Sequence, residues 1–181
     1  MGKVYLKTPR VEDLYYRQEW MKDKKTMSYN AGFDLNLKGY DKVTGTIIKS
    51  DADMLIWYNN WINKEPDRFF AYIYDEEIEE PIGEVYYYPD NGIHSMGILI
   101  QDKFRKRGYG EKALLELEKI AFEKNNINVL SDYIPEDRNT SVKTFKKAGF
   151  IQTENYENVL IFDKEKISRE LLITKEMYLK K

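Results

Sequence analysis

Three runs rich in β-branched and aromatic residues, Phe69 to Tyr74, Ile82 to Tyr88 and Ile93 to Ile100, follow one another with only short polar connections between them. This succession limits the fold more than any other feature of the chain. Strands joined so closely pair antiparallel, because a parallel neighbour needs a crossover of a dozen or more residues. The acidic stretch Asp75 to Pro81 joins the first two runs, and Pro89-Asp90-Asn91-Gly92 joins the second two; Asn-Gly is the strongest short-range hairpin signal. An antiparallel meander is expected, and centring its second turn on Asp90-Asn91 places Glu84 opposite Gly97.

Helical and strand patterns interleave around this meander. Val4 to Lys7 reads as a strand, after which Thr8-Pro9 supplies an N-cap and a first-turn proline for a helix with Val11, Leu14, Tyr15 and Gln18 on one face. Asp23 to Lys49 is polar and weakly periodic, a loop with room for a short helix. Ser50 and Asp53 resemble a capping box ahead of Met54, Leu55, Tyr58, Trp61 and Ile62 at helical spacing. Downstream, Gly108 to Lys124 carries Ala113, Leu114, Leu117, Ile120 and Ala121 on one face of an amphipathic helix. Val129 to Ile134 is a strand, and Asn139 to Ala148 is a helix closed by Gly149 as a C′ residue. Phe150 opens another strand-like run, and Val159 to Phe162 and Ile167 to Thr174 supply further strands. The class is α/β (α+β): one domain with a mixed, mostly antiparallel central sheet flanked by helices.

Composition removes several kinds of chemistry. The chain of 181 residues has no cysteine and a single histidine, His94, which excludes disulfides, a cysteine nucleophile and a histidine-rich metal site. The formal net charge of −2 gives no global reason to bind nucleic acid or an anionic membrane, so an anion site must be local. No apolar stretch has the length of a signal peptide or a bilayer span, and the cytoplasm is the expected compartment.

The local anion site is offered where the third strand meets the helix, at Gln101-Asp102-Lys103-Phe104-Arg105-Lys106-Arg107-Gly108-Tyr109-Gly110. Four of the five residues from Lys103 to Arg107 are basic, and two glycines open a helix whose first N–H groups lack intrahelical partners. Such a turn can cradle a pyrophosphate; a solvated basic loop at an ordinary helix start has the same composition. Gly108-x-Gly110-x-x-Ala113, with Asp132 about twenty residues on, also fits the dinucleotide fingerprint. The preceding hairpin, the long loop before the first glycine and the short remainder of chain count against that reading.

Arg105-x-x-Gly108-x-Gly110 between strand and helix resembles the acyl-CoA motif of the GNAT (Gcn5-related N-acetyltransferase) superfamily, and Asn139 to Ala148-Gly149-Phe150 resembles its second signature. The similarity covers about residues 69 to 154. It implies a single N-acetyltransferase domain over residues 1–181 that uses acetyl-CoA as co-substrate without a metal. By that resemblance the exposed backbone of Ile98-Leu99-Ile100 pairs with the pantetheine arm. The N–H groups of Arg105, Lys106, Arg107, Gly108, Tyr109 and Gly110 hold the pyrophosphate, and Asn139 bonds the pantetheine region unless it is a plain N-cap. Partners implied are a small-molecule or peptide amine and a homodimeric second copy, with neither nucleic acid nor membrane.

One position departs from the family pattern: the tyrosine that often protonates the leaving thiolate is replaced by Phe145, which leaves Tyr133 or water for that role. For the base that deprotonates the amine, His94 has the family's spacing before Arg105 and a suitable intrinsic pKa, whereas Glu84 lies on the neighbouring strand. His94 also reads as a hairpin-end residue, and Glu84 as the polar face of a strand. Tyr86-Tyr87-Tyr88 and the Trp57 to Trp61 helix can line an amine pocket or simply form core. The alternative reading is a CoA-binding regulatory protein of the same fold with weak catalysis.

Overall fold

The computed structural model describes residues 2–181. Seven strands form one sheet in the order β1-β2-β3-β4-β5-β7-β6: β1 (Val4–Lys7), β2 (Phe69–Asp75), β3 (Gly83–Asp90), β4 (Ile93–Ile100), β5 (Val129–Pro135), β6 (Ile151–Ile161) and β7 (Lys164–Thr174). Every neighbouring pair is antiparallel except β4 with β5. The meander is present, with a different register from the one expected. Asp90 pairs with Ile93, so the two turn residues are Asn91 and Gly92, both at positive φ as a type I′ turn demands. Moving the turn centre by one residue shifts the pairing by two. Glu84 lies opposite Leu99, and Tyr86 takes the place opposite Gly97.

Helices cover both faces. α1 (Leu14–Lys22), α2 (Lys24–Met27) and α3 (Asp51–Trp61) lie on one face, where Leu14, Trp20, Met21 and Met54 pack on Phe70, Tyr72 and Leu99. α4 (Tyr109–Lys119), extended by a π-helical turn over Ile120–Lys124, lies on the other with α5 (Asn139–Ala148). There Ala113, Leu114, Leu117, Phe122 and Phe145 meet Ile73, Val85, Met96, Leu130 and Ile173. α6 (Lys175–Leu179), capped by the Thr174 hydroxyl, closes the chain and has no counterpart in the expected elements.

Local chemistry explains where helices begin. The capping box of α3 is formed: Ser50 Oγ accepts from the Asp53 N–H (3.1 Å), and Asp53 accepts from the Ser50 N–H (3.4 Å). The first helix starts later than Thr8-Pro9 suggests. Arg10 is the N-cap of a 3-10 turn, its N–H donating to the Asp13 carboxylate at 2.9 Å. That delay rotates the buried face to Leu14 and Met21 and leaves Val11 and Tyr15 in solvent. The β6–β7 hairpin is longer than its apolar runs, because β6 is an exposed edge strand with no apolar periodicity to mark it.

Candidate active site

The parallel pair β4–β5 is short. It consists of His94 with Leu130 and Ser95 with Ser131; beyond these, Met96–Ile100 and Asp132–Pro135 run on without pairing to each other. β4 stays paired to β3 and β5 to β7, so the sheet opens as a wedge whose root is Ser95 and Ser131.

Backbone alternation decides which groups of β4 face this wedge. The Gln101 N–H donates to Ile82 O on the β3 side, so Leu99 also presents its backbone to β3, while Ile98 and Ile100 present theirs to the opening. Ile100 O already accepts from Arg105 Nε at 3.0 Å. Ile98 is left with both polar groups free to pair with an extended ligand. Leu99, expected to share that role, has a buried side chain on the α1 side and a backbone committed to β3.

The wedge leads to the basic turn. Lys106 (φ 61°) and Gly108 (φ 82°) are both left-handed, which folds successive N–H groups toward one concavity just ahead of α4. No hydrogen bond among the described residues uses the N–H groups of Lys106, Arg107 or Gly108, and those of Tyr109, Gly110 and Glu111 have no intrahelical acceptor. The side chains divide unexpectedly. Lys103 pairs with Glu80 at 2.5 Å, and the Tyr109 ring is buried against Phe104. The Arg105 guanidinium folds back to Ile100 O, Lys25 O (3.2 Å) and Thr26 O (2.5 Å). Lys106 and Arg107 remain as the positive charges of the turn. Gly110 has a packing reason to lack a side chain, since a Cβ there would sit 3.0 Å from Thr144 of α5.

Arg105 is one of two arginines that strap the segment 25–29 across the mouth of the wedge; the other, Arg138, donates to Tyr29 O. Between the strap and the start of α5 lies a cleft of about 480 Å³ lined by Ser28, Tyr29, Arg138, Asn139 and Ser141. Asn139 is the first residue of α5, not its N-cap, which is Arg138. Its amide makes one long bond to Asp137 O (3.4 Å) and is otherwise open to the cleft. A larger open cleft of about 610 Å³ at the β1 edge, lined by Tyr5, Arg10, Asp13 and Tyr74, contains no residue of the wedge.

The two expected bases lie on opposite faces of the sheet. Glu84 pairs with Leu99 on the α1 face, is 5% exposed, and accepts from Arg17 Nε at 2.9 Å. The Arg17 guanidinium in turn stacks over Trp57 at 4.2 Å. Burial raises the Glu84 pKa, and the Arg17 charge opposes that rise. His94 pairs with Pro89 and packs edge-on against Tyr87 on the α4 face, where burial lowers its pKa. Tyr133 lies beside Glu170, which is buried and accepts from Ser131 (2.9 Å), Thr153 (2.6 Å) and Asn155 (2.9 Å). Burial first, then Glu170 and Glu157, raise the Tyr133 phenol, which keeps its proton at neutral pH. Phe145 is a core residue packed on Phe150 with ring centres 5.0 Å apart.

The tyrosine run splits across the sheet. Tyr87 points under α4 and its hydroxyl accepts from Asn125 (2.6 Å), whereas Tyr86 and Tyr88 join Trp61 on the other face. Tyr86 lies across β4: a Cβ at Gly97 would come within 2.5 Å of its Cζ and hydroxyl oxygen. Sequence reading missed Arg17, Tyr29 and Arg138, whose roles depend on long-range contacts, and saw in Asp132 only a fingerprint acid. Asp132 is the first β5 residue beyond the root of the wedge. Among the described residues no cluster of His, Cys, Asp or Glu is placed to hold a metal, and no helix is long and apolar enough to cross a membrane.

Comparison with known proteins agrees with this geometry. The sequence profile of the family described as acetyltransferase (GNAT) domain matches residues 3–151. The fold is similar to that of spermidine N-acetyltransferase from Vibrio cholerae in complex with CoA and spermine, with TM-score 0.77 and 15% identity over 98% of each chain. It is also similar to a GNAT-family acetyltransferase from Bacillus anthracis, with TM-score 0.73 and 13% identity over 97% of this chain and 96% of that one. No curated protein matches the sequence significantly.

Proposed function

As the chain belongs to the GNAT acetyltransferase family, we propose that it carries an acetyl group from acetyl-CoA to a primary amine by direct attack within a ternary complex, at the root of the β4–β5 wedge. The observation that supports this most is the wedge itself: the strand that carries the free backbone of Ile98 leads into the turn whose N–H groups from Lys106 to Gly110 are unpaired. The residues fit the group: two left-handed residues make an anion concavity, Lys106 and Arg107 add charge, and Asn139 offers an amide at the adjacent helix start. A thioester bound here needs no covalent enzyme intermediate, and the chain has no cysteine to form one.

Since the turn and α5 lie on the α4 side, the amine is assigned to the opposite side of the wedge, where Tyr86, Tyr88 and Trp61 present rings suited to a cation. The Vibrio cholerae enzyme's complex contains spermine, which makes polyamines the first acceptors to test. Gly108→Val tests the cofactor site, because a β-branched residue resists the left-handed conformation and crowds the concavity. Calorimetry should show at least a tenfold loss of acetyl-CoA affinity, and undiminished affinity contradicts the assignment. Thioester consumption against a panel of amines separates an acetyltransferase from a protein that only holds CoA.

A further inference from the structure

We propose that Asp132 is the catalytic base of the transfer, receiving the proton of the incoming ammonium at the root of the β4–β5 wedge. This rests on the acetyltransfer reading above and adds the group that makes the amine nucleophilic. Ser131 is the last β5 residue paired to β4, so the flank of Asp132 borders the opening instead of a neighbouring strand. Its neighbours Leu130 and Ile134 enter the core beneath α4. Asp132 therefore borders the wedge from the α4 side, and Tyr86 reaches over Gly97 from the other. An amine that enters past Tyr86 to meet a thioester held along Ile98 arrives between them.

The electrostatic setting fits the task. The half-buried Asp132 carboxyl is pushed up to about 7 by burial, opposed by the Tyr133 N–H and by the positive charge of Arg138 at the start of α5. Its charge reaches the phenols of Tyr86 and Tyr88 on the opposite face, both raised in part by it; on its own face the titratable β4 residue beside the root is His94, whose pKa burial lowers, while Met96 and the β7 partner Leu171 carry no charge. The protons balance simply. Asp132 takes one proton from the ammonium, directly or through one water, and returns it to solvent. The N–C bond then forms, the C–S bond breaks, and the second nitrogen proton ends on the CoA sulfur. Glu84 is held by Arg17, and His94, although on the same face as Asp132, lies on the paired side of the root against Tyr87 and does not border the opening.

The test compares Asp132→Asn with the wild type, using spermidine and a panel of simple primary amines as acceptors. The expected result is a fall of about 100-fold or more in kcat/KM, loss of the rising limb near pH 7, and unchanged acetyl-CoA affinity by calorimetry. Asp132→Glu should restore part of the rate and the limb. A second readout does not depend on turnover. A carboxyl raised from about 3.9 to about 7 weakens the fold as pH rises through that interval, because the unfolded chain releases its proton first. The Asn variant should therefore be more stable than the wild type above pH 7 and lose that advantage below about pH 4. An Asn variant that keeps the wild-type rate and pH profile overturns the proposal. If the wild type consumes acetyl-CoA with no amine, the transfer reading fails and this proposal with it.

Discussion

The two faces of the central sheet are built from different chemistry. Beneath α4 the packing is mainly aliphatic, with Leu114, Leu117, Leu130 and Ile173 fully buried. Beneath α1 and α3 it is aromatic, with Trp57, Trp61, Phe70, Tyr72 and Tyr86 in edge-on and stacked contact around the Arg17–Glu84 pair. The two faces are separate constructions that meet only at the wedge, and the proposed reading assigns the cofactor to one and the acceptor to the other. That separation also explains why the two bases that the sequence suggests, Glu84 ahead of His94, cannot serve one amine from the same direction.

The contrast is broken most severely at the buried pair. Glu84→Gln leaves the Arg17 charge without its partner among aromatic rings, and should cost about 3 kcal/mol of unfolding free energy. Arg17→Met combined with Glu84→Gln should recover much of that loss, since removing both charges leaves neither uncompensated. Denaturant titration of the three proteins checks this. Equal stability of Glu84→Gln and wild type would show that the pair does not anchor α1.

A smaller effect is expected on the other face. His94→Gln should leave turnover within about twofold, because its ring faces Tyr87 and not the acceptor side. Its lowered pKa makes a separate statement about stability: the wild type should lose stability as pH falls below about 6.5, where the unfolded histidine takes up a proton that the folded one resists. The Gln variant should lack that step. A tenfold fall in kcat for His94→Gln would return the histidine to the list of bases.

How much of this was legible in the sequence depended on whether the signal was local. The Asn139–Ala148 helix and its Gly149 end, the Ser50 capping box, and the glycine-opened start of α4 are all set by residues a few positions apart, and all are present. The hairpin turn was visible but its centre was not, because Asp90-Asn91 and Asn91-Gly92 compete until the left-handed conformations of Asn91 and Gly92 decide the register. The first helix was misplaced because Arg10 is not a residue type that announces an N-cap. Asp132, Arg105 and Arg138 acquire their roles from where the sheet opens and from carbonyls of the 25–29 segment. No spacing within the sequence encodes that opening.

The central claim is that acetyl-CoA lies along β4 in the wedge with its phosphates on the turn before α4. Residue-resolved amide hydrogen exchange with and without acetyl-CoA tests it directly. The account predicts new protection at the Ile98 N–H and at Lys106 to Gly110, with little change at Leu99, whose backbone already faces β3. Protection confined to the aromatic face or to the β1-edge cleft, with Ile98 and the turn unchanged, would contradict it.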